Sequence, residues 1–174
     1  MRVAREVALT APIERVWRLL WDVPRMVACV PGCVEAHEVE PRRRYQARMS
    51  QKVGPIALSV PLDIRVTEEA PGRLALQARG RDGLLAAEVH MSVRLAVEAA
   101  EPGTRLAVEA EGRVLGKLGA LGASVIQRRA EELVDEFTTR LRGALVDMGG
   151  LERTPLAPPG GSGRPGGSGT PLGR

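Results

Sequence analysis

The stretch GRVLGKLGALGASVIQRRAEELVDEF, residues 112–137, is where the chain changes its hydrophobic period. Just before it, Leu106, Val108 and Ala110 alternate with Arg105, Ala107, Glu109 and Glu111, the period-two pattern of a strand with one buried face. After it, Leu118, Leu121, Val125, Ile126, Ala130, Leu133, Phe137, Leu141 and Leu145 recur at intervals of three and four. That stripe predicts one long helix from about Lys117 to Met148, stopped by Gly149-Gly150. At 1.5 Å per residue, roughly 30 residues make a helix of about 45 Å, long enough to span a sheet. Arg128, Glu131, Glu132, Asp135, Glu136 and Arg140 point away from the stripe, with Glu136 and Arg140 at i,i+4 spacing.

Upstream, the alternation continues back to Cys33. Ile56, Leu58, Val60, Leu62, Ile64 and Val66 form one inward row, and Ala87, Val89, Met91, Val93, Leu95 and Val97 form another. Turn signals separate the strands at Glu40-Pro41, Gly54-Pro55, Pro71-Gly72, Arg81-Asp82-Gly83 and Pro102-Gly103. Pro61 lies inside a strand pattern, so a bulge or a sheet edge is expected there. These are antiparallel strands with one wet face.

Before Cys33, residues 2–9 read as a strand. APIERVWRLLWD follows, with Pro12 in a helix's first turn and Ile13, Val16, Trp17, Leu20 and Trp21 on one face. Asp22 is the expected N-cap of a second short helix, with Met26, Val27 and Val30 as its apolar residues. Both cysteines fall in CVPGC, residues 29–33. Pro31 presets φ and Gly32 supplies positive φ, the needs of a type II turn, and two thiols with two scattered histidines do not make a zinc site. The predicted order is strand, two short helices, about six antiparallel strands and a long C-terminal helix. A bent sheet gripping one helix leaves space between them, so a cavity is expected at their junction.

Composition narrows the function classes. Aromatic residues make up 2% of the chain, so base-stacking surfaces are lacking and no nucleic acid is expected as a partner. The net charge of +4 is spread along the chain, and its one basic run, Arg42-Arg43-Arg44, falls at a turn and reads as a solvated loop. MRVAREVALT carries charges where a signal peptide needs an apolar run, and no stretch reaches the ~18 apolar residues of a membrane span. A cytoplasmic location with reduced thiols is therefore expected. Residues 1–150 read as one domain, and the Pro-, Gly- and Ser-rich residues 151–174 as a disordered tail.

Three segments, APIERVWRLLWDVPRMVACVPGC, KVGPIALSV with the ARGRDG turn, and GRVLGKLGALGASVIQRRAEELVDEF, together resemble the CoxG family of carbon monoxide dehydrogenase. That family lies within the START-like helix-grip and polyketide cyclase superfamily. The resemblance spans roughly residues 1–147. It implies an α+β fold, with a curved seven-stranded antiparallel sheet wrapped around the C-terminal helix, two short helices after strand 1, and an apolar cavity. It also implies an accessory protein of a molybdenum hydroxylase such as carbon monoxide dehydrogenase. Such a protein would carry a hydrophobic small molecule, a quinone or a lipid, and touch the inner face of the membrane transiently. Superfamily members also include polyketide cyclases and dehydrases, and a ligand-free maturation or docking adaptor is a third reading.

Catalysis has little to stand on in the residues themselves. His90 falls on the wet face opposite Met91, the facing of His37 is open, and the inward positions are nearly all aliphatic. No metal and no cofactor is expected. The candidate ligand contacts are Trp17 and Met26 from the short helices, Met49, Leu58, Leu76 and Met91 from the strands, and Leu118, Leu121 and Val125 near the helix start. Each could also be plain core. Gly116, Gly119 and Gly122 lack the order of a phosphate loop; they read as a close-packing strip or as a flexible gate that leaves room for a ligand.

Overall fold

A computed structural model describes residues 1–84 and 86–152, the last two by their backbone. The predicted tail beyond residue 152 lies outside the described residues. Strand β1 (Arg2–Leu9) is followed by helices α1 (Ile13–Trp21) and α2 (Val23–Cys29). Six strands come next: β2 (Cys33–Glu40), β3 (Arg44–Val53), β4 (Ile56–Ala70), β5 (Arg73–Asp82), β6 (Ala87–Ala100) and β7 (Gly103–Leu115). A 3-10 turn at Gly116–Leu121 leads into the long helix α3 (Ala123–Glu152). All seven strands form one antiparallel sheet in the order β1-β7-β6-β5-β4-β3-β2. Chain-neighbouring strands pair, except that β1 closes on β7, which carries the chain across the sheet through α1 and α2.

Register fixes which residues face α3. Leu74 pairs with Leu95, Leu95 with Val108 and Val97 with Leu106, so these buried side chains share one face. The alternating rows read from the sequence all lie on it. Pro61 sits where the β4–β5 ladder ends, since that pairing runs only from Leu62 to Ala70. The proline's missing donor therefore faces no partner strand on the β5 side. The β4 bulge lies elsewhere, between Val66 and Glu68.

The short helices are held as the sequence suggests. The Asp22 carboxylate accepts from the Arg25 backbone N–H at 3.3 Å, capping α2. The Cys33 N–H donates to the Val30 carbonyl at 3.1 Å with Gly32 at φ 75°, which makes the turn through Pro31-Gly32 type II.

Both ends of α3 depart from the sequence reading. Leu118 and Leu121 keep helical spacing, but they belong to the 3-10 turn, and α3 starts only at Ala123. Gly116 (φ 79°) and Gly122 (φ 94°) adopt conformations that interrupt a right-handed helix at both edges of the turn. At the far end, Gly149-Gly150 does not stop the helix. Gly149 is buried with a Cβ position 2.9 Å from the tip of the Arg15 side chain of α1, and the helix continues through it.

Candidate functional site

The apolar interior between sheet and helix is split into two clusters. One gathers Val16, Leu19 and Leu20 of α1, Cys29 of α2, Leu74, Leu95, Val97, Leu106 and Val108 of the sheet, and Leu141, Leu145 and Met148 of α3. The second joins Val53, Leu58, Val60 and Leu62 of β3 and β4 to Ala87 and Leu118. Between them, Ile64, Val66, Leu76, Met91 and Val93 occupy inward register positions yet are only half-buried. Val134 and Phe137 of α3, which pack against the first cluster, are half-buried as well.

The candidate residues distribute over this arrangement. Trp17, Met26 and Leu76 pack, half-buried, against the first cluster. Leu58 and Leu118 are core members of the second, with Met49 and Leu121 packed against it. Met91 belongs to neither cluster and lies on the inward face beside Gly112 and Ala78. Val125 is 38% exposed and stands outside both clusters. The late start of α3 puts it in the helix's first turn.

Two of the three glycines pack closely. A Cβ on Gly116 would meet the Ala86 carbonyl oxygen at 1.9 Å, and one on Gly119 the Val114 carbonyl oxygen at 2.9 Å. Backbone therefore fills the space beside both, while Gly122 faces open space.

Thr104 and Thr138 are buried polar side chains of this interior, and polar groups also touch it at two places absent from the sequence reading. The Tyr45 hydroxyl donates to Glu38 at 3.1 Å, and burial, followed by that carboxylate, pushes its pKa up to about 12. The Arg42 guanidinium stacks 4.0 Å over the Trp21 ring and pairs with Glu69 at 2.6 Å, covering the same end. At the other place, Gln51 stands at an inward position of β3 opposite Leu58. Its amide donates to the Pro31 carbonyl at 2.5 Å and accepts from Arg129 Nη2 at 2.7 Å, tying β3, the Pro31-Gly32 corner and α3 together. A cleft of about 540 Å³ opens there, lined by Gly32, Gln51, Lys52, Leu58, Arg129 and Arg140 among others. The alternation Ala47, Met49, Gln51, Val53 does mark Gln51 as a polar residue at an inward position. Nothing local links it to Arg129, 78 residues later.

The histidines and cysteines lie apart from this interior. His90 on the outer sheet face meets Glu88 at 2.5 Å, and His37 is exposed beside Gln46 at 3.2 Å. Cys29 and Cys33 are free thiols, and burial pushes both pKa values up, away from the reactive thiolate. Among the described residues no group of three or more His, Cys, Asp or Glu could hold a metal ion, and no helix is long and apolar enough to cross a membrane.

The family model for CoxG, described as a subunit of carbon monoxide dehydrogenase, matches residues 6–146, from β1 through most of α3. The chain belongs to the CoxG family. The resemblance drawn from its three sequence segments is borne out, and with it the START-like helix-grip fold. No curated protein matches closely enough to count as a relative. Among solved structures, a conserved protein from Geobacillus kaustophilus is similar at TM-score 0.76 and 19% identity, covering 84% of this chain and 96% of its own. A Thermus thermophilus protein aligns at TM-score 0.66 and 16% identity, with 85% and 99% covered. A Bacillus halodurans protein aligns at TM-score 0.57 and 22% identity, with 83% and 96% covered. At these identities the likeness shows that CoxG-type chains share this fold with others, and no more.

Proposed function

We propose that this CoxG-family protein carries a lipophilic small molecule, a quinone or a lipid, in the band between its two apolar clusters. Family membership supports its role as a non-catalytic accessory of carbon monoxide dehydrogenase or a related molybdenum hydroxylase. One observation carries the carrier reading. Ile64, Val66, Leu76, Met91 and Val93 point inward, beneath the helix, and still keep part of their surface free. In a filled core such side chains would be wholly buried, so their remaining exposure supports a reading in which apolar space is left between α3 and the sheet. Burying an aliphatic chain against that surface drives binding at about 25 cal/mol per Å². Leu58, Leu76, Met49, Met91, Trp17, Met26, Leu118 and Leu121 are the contacts assigned to it, and the segment from Gly116 through Gly119 to Gly122 is its gate.

A cyclase or hydrolase would need polar groups converging on one substrate atom. Tyr45 and Gln51 lie six residues apart on one strand, roughly 20 Å at 3.4 Å per residue, and each is already hydrogen-bonded. That separation favours a carrier over an enzyme. The end of the molecule near the 3-10 turn supports transient contact with a lipid surface. Leu84 is 93% exposed and Leu115 52%, Arg81, Arg113 and Lys117 lie in the same segments, and residues 112–130 contain no carboxylate.

Mass spectrometry of an organic extract from natively purified protein tests the carrier reading. A stoichiometric quinone or lipid is expected; an empty extract after incubation with membranes argues against it.

A further inference from the structure

We infer that the cleft between β3, β4 and α3 is the head-group site for the carried molecule, and that this molecule is an aliphatic amphiphile with a hydrogen-bond-accepting head, a carboxylate or a carbonyl. The inference rests on the carrier reading above and adds the chemistry of the ligand's polar end.

Arg129 is the residue that points to it. Its Nη1 donates to Glu132 at 2.9 Å and its Nη2 to Gln51 Oε1 at 2.7 Å. Its Nε–H is buried and finds no acceptor among the described residues. A buried donor left unmet is rare in folded proteins, and a small turn of the Arg129 side chain would present this one to the adjoining cleft. The groups around it favour an acceptor as its partner. Gln51 has its amide nitrogen engaged with the Pro31 carbonyl and its oxygen with Arg129, so it has turned its acceptor away from any ligand. Lys52 and Arg140 line the same cleft, and the Glu136 carboxylate is held by Arg140. The rim therefore offers donors and net positive charge. It suits a carboxylate or a carbonyl and repels an ammonium head.

The apolar side of the cleft supplies the other half. Leu58 lines it, and Met49, next inward position to Gln51 on β3, packs half-buried against the same cluster as Ile64. A chain leaving the head group thus runs along β3 and β4 onto the half-buried band. The polar end is fixed where α3 and the Pro31-Gly32 corner meet the sheet.

Calorimetric titration with three probes tests this: palmitate, hexadecylamine and a menaquinone with a shortened side chain, each on the wild-type chain and on Arg129→Met. Acceptor-headed probes are expected to bind the wild type roughly tenfold or more tightly than the amine, the scale of one charge-assisted hydrogen bond. Arg129→Met should reduce that preference to within about twofold by weakening the acceptor-headed probes, while amine binding that is retained or strengthened also reports that the variant is folded. A loss confined to palmitate identifies a carboxylate head; a loss confined to the menaquinone identifies a carbonyl. Equal binding of palmitate and amine by the wild type, or a preference that survives Arg129→Met, overturns the head-group inference alone. Failure of every probe to bind the wild type overturns the carrier reading with it.

Discussion

Alanine at Gly116 should be far more damaging than alanine at Gly54 or Gly122, because the three glycines meet different obstacles. Gly54 has φ 58° and open space around its Cβ position. Alanine there takes the left-handed region at about 1–2 kcal/mol, partly offset by about 0.4–1 kcal/mol of lost unfolded-state entropy. A net cost near 1 kcal/mol or below follows. Gly122 also faces open space, but its φ 94° and ψ 150° fall in a region essentially reserved for glycine, at about 1–3 kcal/mol. Gly116 combines φ 79° with a Cβ position 1.9 Å from the Ala86 carbonyl oxygen, a backbone atom that cannot rotate away. Its cost adds about 1–3 kcal/mol of forced displacement to the conformational term. The expected total for Gly116→Ala is about 3 kcal/mol, against about 1–2 kcal/mol for Gly122→Ala. Urea unfolding at 25 °C with unchanged m-values reads the order directly, and in Tm each kcal/mol is worth about 2–4 °C. If Gly116→Ala proved no worse than Gly54→Ala, the 3-10 turn would not dock on the β5–β6 turn as described.

Three further outcomes follow from the packing and charges. Leu141, fully buried in the first cluster, should cost about 2–5 kcal/mol on replacement by alanine, whereas half-buried Leu76 should cost only about 1 kcal/mol; equal losses in denaturant melts would mean the band is packed core. The Arg44 guanidinium, 2.7 Å away, with further help from Arg65, holds the Asp63 carboxyl below its usual pKa against the opposing effect of burial. Its stabilisation is present above the unfolded value of about 3.9 and lost as pH falls through the lower folded value. Relative to Asp63→Asn, the wild type should therefore lose stability below about pH 4, and parallel pH profiles would remove Asp63 from the account. Iodoacetamide should alkylate Cys29 and Cys33 more slowly than a free cysteine until denaturant is added, because burial raises both thiols; modification of folded Cys29 at the free-thiol rate would contradict its burial.

Period-two rows such as Ile56 to Val66 and Ala87 to Val97 were legible because register converts alternation directly into one buried face. The corner at Pro31-Gly32 and the cap at Asp22 were legible for a similar reason, since each is decided within four residues. What the sequence concealed depends on contacts between distant segments. Leu118, Leu121 and Val125 keep helical spacing across a break that only the positive φ of Gly116 and Gly122 reveals. Gly149 looks like a stop signal, yet the helix runs through it beside Arg15, over a hundred positions earlier. Gln51 was visible as polar at an inward position, but its partner Arg129 sits in a helix of many charges, and only the fold selects it. The site was thus readable as a list of apolar side chains. The division of those side chains into two clusters, with a half-buried band between, was not.

Calorimetric titration of a long-chain aliphatic ligand into the wild type and into Leu76→Trp tests the central claim most directly. The wild type should bind one equivalent with a negative heat-capacity change, the mark of apolar burial. Leu76→Trp, whose ring would fill the band between the clusters, should fold and bind no ligand. Undiminished binding by Leu76→Trp would contradict the claim that the carried molecule lies between α3 and the sheet.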